Sequence, residues 1–258
     1  MTFPFIEIDS FSVEINGKSI LRDISFSVEQ GEYVSLIGPN GAGKTTLLKS
    51  IGRITDFGRG SISILGKKRD SRKQKEYAKI VSYVPQSDGR YLPFTVYEFV
   101  LMGRYPYLSS FSAVEKEDKE KVYEVLKQTG TEKFAARGIN TLSGGERQKV
   151  FIAAALCQEA EIILLDEPTT FLDPKHHDEV HHTLSEVNRS GKTLIIVTHD
   201  LNMAISPPVT KVVALKEGKL TYIGEPGGLL SGSVLSSIYE KDFTIGRHPV
   251  TGMEVILP

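Results

Sequence analysis

Tryptophan is absent from this 258-residue chain, and cysteine occurs once, as Cys157. A single thiol excludes an intrachain disulfide, so no covalent staple holds the fold, and the usage suits a reducing compartment. An excess of one charge is also missing. The 31 basic and 32 acidic residues leave a net charge of −1, which argues against a broad electrostatic grip on nucleic acid or anionic lipid. The longest wholly apolar run, residues 150–157, falls far short of the roughly 20 residues needed to cross a bilayer. Work at a membrane would therefore need another chain to supply the path. Residues 1–10 carry Glu7 and Asp9 and no basic segment, so a signal peptide is not expected. Long linkers, internal repeats and low-complexity tracts are lacking as well. What remains is an ordinary globular composition, 40% hydrophobic and 24% charged, long enough for one large domain or two small ones.

Against that plain background one stretch stands out, Gly38-Pro39-Asn40-Gly41-Ala42-Gly43-Lys44-Thr45. It fits G-x-x-x-x-G-K-[ST]. It follows an apolar run at 33–37 that reads as a buried strand and precedes residues 46–51, which read as a helix. The glycines let the backbone curl so that successive N–H groups face inward, and with the positive end of the new helix they form an anion cradle. This chemistry places Lys44 on the β- and γ-phosphates of a nucleotide and the Thr45 hydroxyl on Mg2+. Upstream, residues 5–28 read as a small antiparallel sheet with Asn16-Gly17 as its hairpin turn. Residues 61–65 read as a further strand closed by Gly66. The basic run Lys67-Lys68-Arg69, with Arg72, Lys73 and Lys75, reads as a solvated, helix-forming face in preference to a nucleic-acid contact. Residues 80–84 read as a core strand. Gln86 beyond it is an uncharged polar group able to reach Mg2+ and an attacking water.

Residues 91–111 concentrate Tyr91, Phe94, Tyr97, Phe99, Tyr105, Tyr107 and Phe111, broken by Pro93, Gly103 and Pro106. Core packing and a docking groove for a partner helix both fit this pattern. Residues 114–128 read as a charged amphipathic helix ended by Gly130. In Thr141-Leu142-Ser143-Gly144-Gly145-Glu146-Arg147-Gln148, Ser143 is the expected N-cap and Glu146 its capping-box partner, ahead of an apolar helix that buries Cys157. Each glycine costs ~1 kcal/mol relative to Ala inside a helix. Gly144 and Gly145 therefore read as leaving the helix N-terminus bare for an anion. Residues 162–167 read as a buried parallel strand ending in Asp166-Glu167 at the ligand edge of its sheet. Asp166 would hold Mg2+ through water, and Glu167 would orient and polarise the attacking water. Leu172-Asp173-Pro174 opens a helix carrying His176, His177, His181 and His182. Without H-E-x-x-H, a solvated face is favoured over a metal site at His177 and His181. Residues 193–197 form another core strand, ending at His199, which is expected on the same sheet edge as Glu167 and on the γ-phosphate. A hairpin around Glu217-Gly218, a short helix near 233–240 and a tail complete the chain.

Taken together, these residues resemble the ATP-binding cassette family through essentially the whole chain. The phosphate loop matches Walker A, Gln86 the Q-loop glutamine, and Leu142 to Gln148 the LSGGQ-like signature. Residues 162–167 match Walker B with its catalytic glutamate, Leu172-Asp173 the D-loop, and His199 the switch histidine. The resemblance implies an α/β fold: a P-loop NTPase (RecA-like) core with an N-terminal antiparallel β subdomain and an inserted α-helical subdomain. All lie in one ATPase domain spanning 1–258, with the helical part at about 88–154 and the rest at about 1–87 and 155–258. It implies ATP and Mg2+ as ligands, with Glu167, His199 and Gln86 as the catalytic set. Thr45, Gln86 and Asp166 would surround the metal. The nucleotide would lie against Gly38, Pro39, Asn40, Gly41, Ala42, Gly43, Lys44, Thr45 and Thr46. It also implies a head-to-tail homodimer, in which Ser143, Gly144 and Gly145 of one copy close on the ATP of the other and Asp173 is retained in the D-loop.

Secondary motifs narrow the resemblance to ATPases of bacterial importers for iron–siderophore complexes, haem and vitamin B12. They are Gly103-Arg104-Tyr105-Pro106-Tyr107, Thr141-Leu142-Ser143-Gly144-Gly145-Glu146, the run Asp166 to Asp173, and His248-Pro249-Val250-Thr251-Gly252. The implied partners are integral membrane permease subunits, whose coupling helix the aromatic stretch would receive, and indirectly a secreted substrate-binding protein; no nucleic acid is expected. The implied location is peripheral, on the cytoplasmic face of the inner membrane. An exporter ATPase and a soluble non-transport ATPase are the alternatives. Two departures from the family pattern stand out. Ile15 stands where an aromatic ring usually stacks on adenine, with Phe11 as a substitute platform, and Thr170-Phe171 stands where Ser-Ala is common.

Overall fold

The computed structural model describes residues 4–55, 58–87, 89–108, 114–170, 172–249 and 252–257; Phe111, Phe171, Val250 and Thr251 lie outside the described residues. The backbone divides into two compact units, residues 1–71 with 193–258 and residues 72–192.

In the first unit, β1 (Ile6–Ile15) and β2 (Lys18–Val28) form the expected hairpin. Asn16 and Gly17 both take positive φ, as a two-residue turn of matching twist requires. β1 changes its inward face part-way. Ile6 and Ile8 are buried, Ser10 then takes φ 48° where the register shifts, and Phe11 and Val13 carry the buried side onward. β3 (Tyr33–Ile37), buried at every position, feeds the loop at 38–43 and then α1 (Lys44–Ile51). β4 (Arg59–Ile64) pairs antiparallel with β1, and the two-residue β5 (Lys67–Lys68) pairs with β4.

The basic run departs from the expected solvated helical face. Lys67 and Lys68 are exposed strand residues, whereas Arg69 turns inward and is buried. It donates to the carbonyl oxygens of Ser50 and Thr55, with its guanidinium 5.7 Å from the Phe11 ring centre. Carbonyls left over where a helix ends need donors, and this arginine supplies them. Phe11 is thereby covered, at 2% exposure, and offers no open platform to a base.

The second unit holds α2 (Gln74–Ala78), β6 (Val81–Val84), α3 (Val96–Leu101), α4 (Lys116–Gln128), α5 (Gly144–Cys157), β7 (Ile162–Asp166) and α6 (Pro174–Arg189). β6 and β7 pair in parallel. α3, α4 and α5 enclose an apolar core built on Val96, Val100, Val122, Leu126, Val150 and Cys157. The aromatic stretch divides between its two readings. Phe94, Tyr97 and Phe99 pack against that core, while Tyr91, Tyr105 and Tyr107 are exposed. Gly103 and Arg104 have an internal reason. A Cβ at Gly103 would overlap the Ala154 carbonyl oxygen. The Arg104 guanidinium donates to Asp118 Oδ1 at 2.9 Å, the Cys157 carbonyl at 3.0 Å and Glu159 Oε2 at 2.6 Å.

The chain then returns to the first unit with β8 (Thr193–Val197), α7 (Leu201–Ile205), β9 (Lys211–Lys216), β10 (Lys219–Gly224), α8 (Gly232–Tyr239), β11 (Thr244–Arg247) and β12 (Glu254–Leu257). β3 pairs in parallel with both β8 and β9, and β10 pairs antiparallel with β9, giving a mixed sheet. β3 and β8 are buried throughout, as strands covered on both faces are, which is why they appear in the sequence as unbroken apolar runs. β11 and β12 make a hairpin where only a tail was expected. No described helix is long and apolar enough to cross a membrane.

Candidate nucleotide site

The loop at 38–43 is shaped by its glycines. Gly38, Gly41 and Gly43 have φ of 138°, 78° and 100°, values that side-chain-bearing residues rarely adopt. A Cβ at Gly43 would stand 2.6 Å from Leu21 Cδ2 and 2.9 Å from the Ile20 carbonyl oxygen. Lys44 is buried, its ammonium donating to the carbonyl oxygens of Gly38 at 2.7 Å and Pro39 at 2.9 Å. A buried cation inside a loop of glycine backbone at a helix N-terminus favours an anion, so these residues fit a phosphate group. Thr45 and Thr46 follow in the first turn of α1. The sheet brings the end of β8 alongside, with the Thr198 N–H donating to the Leu36 carbonyl at 3.2 Å, and the exposed His199 comes next. Ile15 lies partly exposed at the end of β1.

The second unit gathers the acidic residues. Asp166 is buried at the end of β7 and accepts from the Tyr83 hydroxyl at 3.1 Å. Burial, reinforced by the Asp166 charge, pushes the Tyr83 hydroxyl well above the usual phenol range, so it stays a neutral donor. Glu167 has φ 50°, an uncommon conformation for a glutamate and one that concentrates at functional sites. Its Oε2 accepts from Gln86 Nε2 at 2.8 Å and from the Thr170 hydroxyl at 3.1 Å. Gln86 and Glu167, far apart in sequence, are thus in contact. Within this unit the Asp166 carboxylate and the Gln86 amide are oxygen groups of the kind that suit Mg2+, which takes the rest of its shell from phosphates and water. Among the described residues no group of three or more His, Cys, Asp or Glu side chains forms a metal site.

Ser143 caps α5 as expected. Its Oγ accepts from Glu146 N at 3.3 Å, and Glu146 Oε2 accepts from Ser143 N at 2.8 Å, which holds the Glu146 carboxyl below its usual range. Ser143 and Gly144 are exposed at the helix tip, whereas Gly145 is buried. A Cβ at Gly145 would overlap the His176 ring, so this glycine also has a packing reason that the bare-tip reading left out. The histidine helix is likewise less solvated than expected: His176, His177 and His181 are half-buried, and only His182 is exposed. Asp173 caps α6 through Oδ1 to the His176 N–H at 3.0 Å, and its Oδ2 meets His176 Nδ1 at 2.6 Å. The backbone N–H first and the ring second hold this carboxyl below the usual range. Tyr83 was not singled out from the sequence, and Thr170, His176 and Arg147 were named there without the contacts they make here. A tyrosine one strand over, a threonine in a turn and a histidine among four carry no local pattern that marks them. Arg147 is buried and donates to the Arg90 carbonyl at 2.5 Å.

The ABC transporter family model matches residues 21–170, which include the phosphate loop, Gln86, the capped glycine helix and Asp166-Glu167. This chain belongs to the ABC transporter family. It is an ATP-binding, ATP-hydrolysing cassette. This cassette is 35% identical over 98% of its length, and 94% of the relative, to the iron(3+)-hydroxamate import ATP-binding protein FhuC of Bacillus subtilis. It is 34% identical over 95% of its length, and 87% of the relative, to the hemin import ATP-binding protein HmuV of Streptomyces coelicolor. Among solved structures it resembles a bacterial ABC transporter cassette described as dimeric, with a TM-score of 0.75 and 29% identity, covering 86% of this chain and 98% of that one.

Proposed function

We propose that this cassette powers a membrane importer for metal chelates of the iron–siderophore, haem or cobalamin class. Lys44 and backbone N–H groups within residues 40–46 would hold the phosphates of ATP, with Ile15 against adenine. Thr45, Gln86 and Asp166 would hold Mg2+, which when bound neutralises phosphate charge. Glu167 would orient the attacking water and take its proton, and His199 would meet the γ-phosphate. The observation that carries the reading is the exposed tip of α5. Ser143 and Gly144 present a capped helix N-terminus to solvent, suited to the phosphates of a second copy packed head to tail. The exposed Tyr91, Tyr105 and Tyr107, within the helical part expected at about 88–154, would seat the coupling helix of a permease at the cytoplasmic face of the membrane.

The test joins two measurements. Glu167→Gln keeps the shape and removes the base, so ATP should still bind and drive a stable dimer while hydrolysis falls by at least about 100-fold. Wild-type protein combined with a multi-span permease that copurifies with it should then load vesicles with a ferric siderophore, haem or cobalamin in an ATP-dependent manner. A Glu167→Gln variant that hydrolyses ATP at the wild-type rate would refute the role of that carboxylate. Uptake of none of the three would refute the substrate class.

A further inference from the structure

The family match ends at residue 170, yet a helix beyond it reaches back to the phosphate loop. Tyr239, the last residue of α8, is half-buried, and its hydroxyl accepts from the Gly38 N–H at 3.1 Å. The helix end that carries it is also held by a lysine. Lys216, the last residue of β9, donates from Nζ to the Ser237 carbonyl at 2.7 Å and meets Glu240 Oε1 at 2.8 Å. The Tyr239 ring also packs edge-on against Phe243, with centroids 5.8 Å apart.

The loop also meets β9 and the turn that follows it. A Cβ at Gly38 would overlap the Leu215 carbonyl oxygen, and the Gly218 N–H donates to the Ala42 carbonyl at 3.2 Å. Between these points lies a cavity of about 300 Å³, lined by Pro39, Asn40, Gly41, Ala42, Ile238 and Tyr239 among others. Among the described residues the lining leaves this space open, so the Tyr239 hydroxyl adds a side-chain anchor to the backbone approach at Gly38 and the Lys44 hydrogen bonds. A buried phenol is well suited to that task. Burial pushes the Tyr239 hydroxyl up to about 12, against a smaller opposing effect of the Gly38 N–H, so it remains a neutral acceptor at working pH.

We propose that Tyr239 is a positioning residue for nucleotide binding: through the Gly38 N–H it holds the phosphate loop in its binding conformation, and Lys216 sets its place by clamping the end of α8. The proposal rests on residues 38–46 being the phosphate cradle. Nucleotide affinity scales with the fraction of molecules whose loop is already competent, so a lost brace is read as weaker binding. Water entering the cavity could satisfy the orphaned N–H but could not fix the loop.

The experiment titrates ATP with Mg2+ into the full-length chain and measures steady-state hydrolysis. Tyr239→Phe keeps the ring and deletes the hydroxyl. It should raise the ATP Kd and KM roughly fivefold, leave kcat within about twofold, and move the melting point by no more than a few degrees. Lys216→Met should shift Kd the same way by a smaller factor, and the double variant should be no weaker than Tyr239→Phe alone, because both act through one contact. An unchanged Kd for Tyr239→Phe overturns the proposal, as does a fall in kcat with KM unmoved. Failure of the wild-type chain to bind ATP would overturn the cradle reading and the proposal together; failure of Tyr239→Phe alone would leave the cradle standing.

Discussion

Arg104→Met should destabilise the helical part of the second unit by about 3 kcal/mol. The guanidinium and the Asp118 carboxylate are both buried, with side chains 10% and 9% exposed, whereas Glu159 is 40% exposed. Removing one partner of a buried pair costs about 3–5 kcal/mol, because the other charge is left without compensation in a poor dielectric. The Glu159 arm, largely hydrated, contributes at most about 1 kcal/mol. The methionine recovers part of the lost packing on Tyr107, whose ring centre lies 4.0 Å from the guanidinium carbon. These terms place the effect near the lower end of the range. For a chain of this length that is a melting point lower by roughly 6–12 °C. Thermal and urea unfolding followed by circular dichroism would measure it. Arg104→Lys keeps the charge but not the fork that spans Asp118 Oδ1 and the Cys157 carbonyl, so it should recover about half. If Arg104→Met melts within about 2 °C of wild type, the cluster behaves as a surface pair and the burial argument is wrong.

Two further outcomes follow from buried groups. Burial pushes the Cys157 thiol up to about 12, while in the unfolded chain it titrates near 8.5. The folded state therefore holds this proton more tightly: the contribution to stability is whole below about pH 8.5 and is lost as pH rises toward about 12. At pH 8 an alkylating reagent should label the chain only in denaturant, and full labelling within minutes in native buffer would contradict this. Gly145→Ala must push its methyl into the His176 ring and should lower stability by more than about 1 kcal/mol, whereas pairing it with His176→Ala should recover most of the loss. Strictly additive unfolding energies in that double-mutant cycle would show that the ring is not what limits the glycine.

The parts of the fold that could be read in advance are those written in adjacent residues. β3, β7 and β8 are buried on both faces, and burial of that kind leaves continuous apolar runs. Asn16-Gly17 and Ser143 with Glu146 act over two or three positions, so their geometry is local. The rest depends on distant partners. Nothing beside Arg69 in sequence says that carbonyls at the end of α1 await a donor, and the same holds for Phe11 beneath it. The four histidines of α6 looked solvated because periodicity alone does not say which neighbour a helix face meets; α5 meets it at Gly145. Gly145 itself was assigned to an anion, and the ring packed against it could not be foreseen from spacing. At the site, Gln86 and Glu167 were each legible from a strand end, but their mutual hydrogen bond and the left-handed backbone of Glu167 come from the tertiary fold.

The segment that follows Gln86 is fastened at successive points. Arg147 takes the Arg90 carbonyl, and Asn140 exchanges both of its hydrogen bonds with Leu92, at 3.0 Å and 2.7 Å. Tyr91, 77% exposed, sits between those two fastenings. A load applied to that ring would be passed through Arg147 to the root of α5 and through Asn140 to the turn just ahead of it, so that a touch on the outside of the molecule is felt at the capped helix tip.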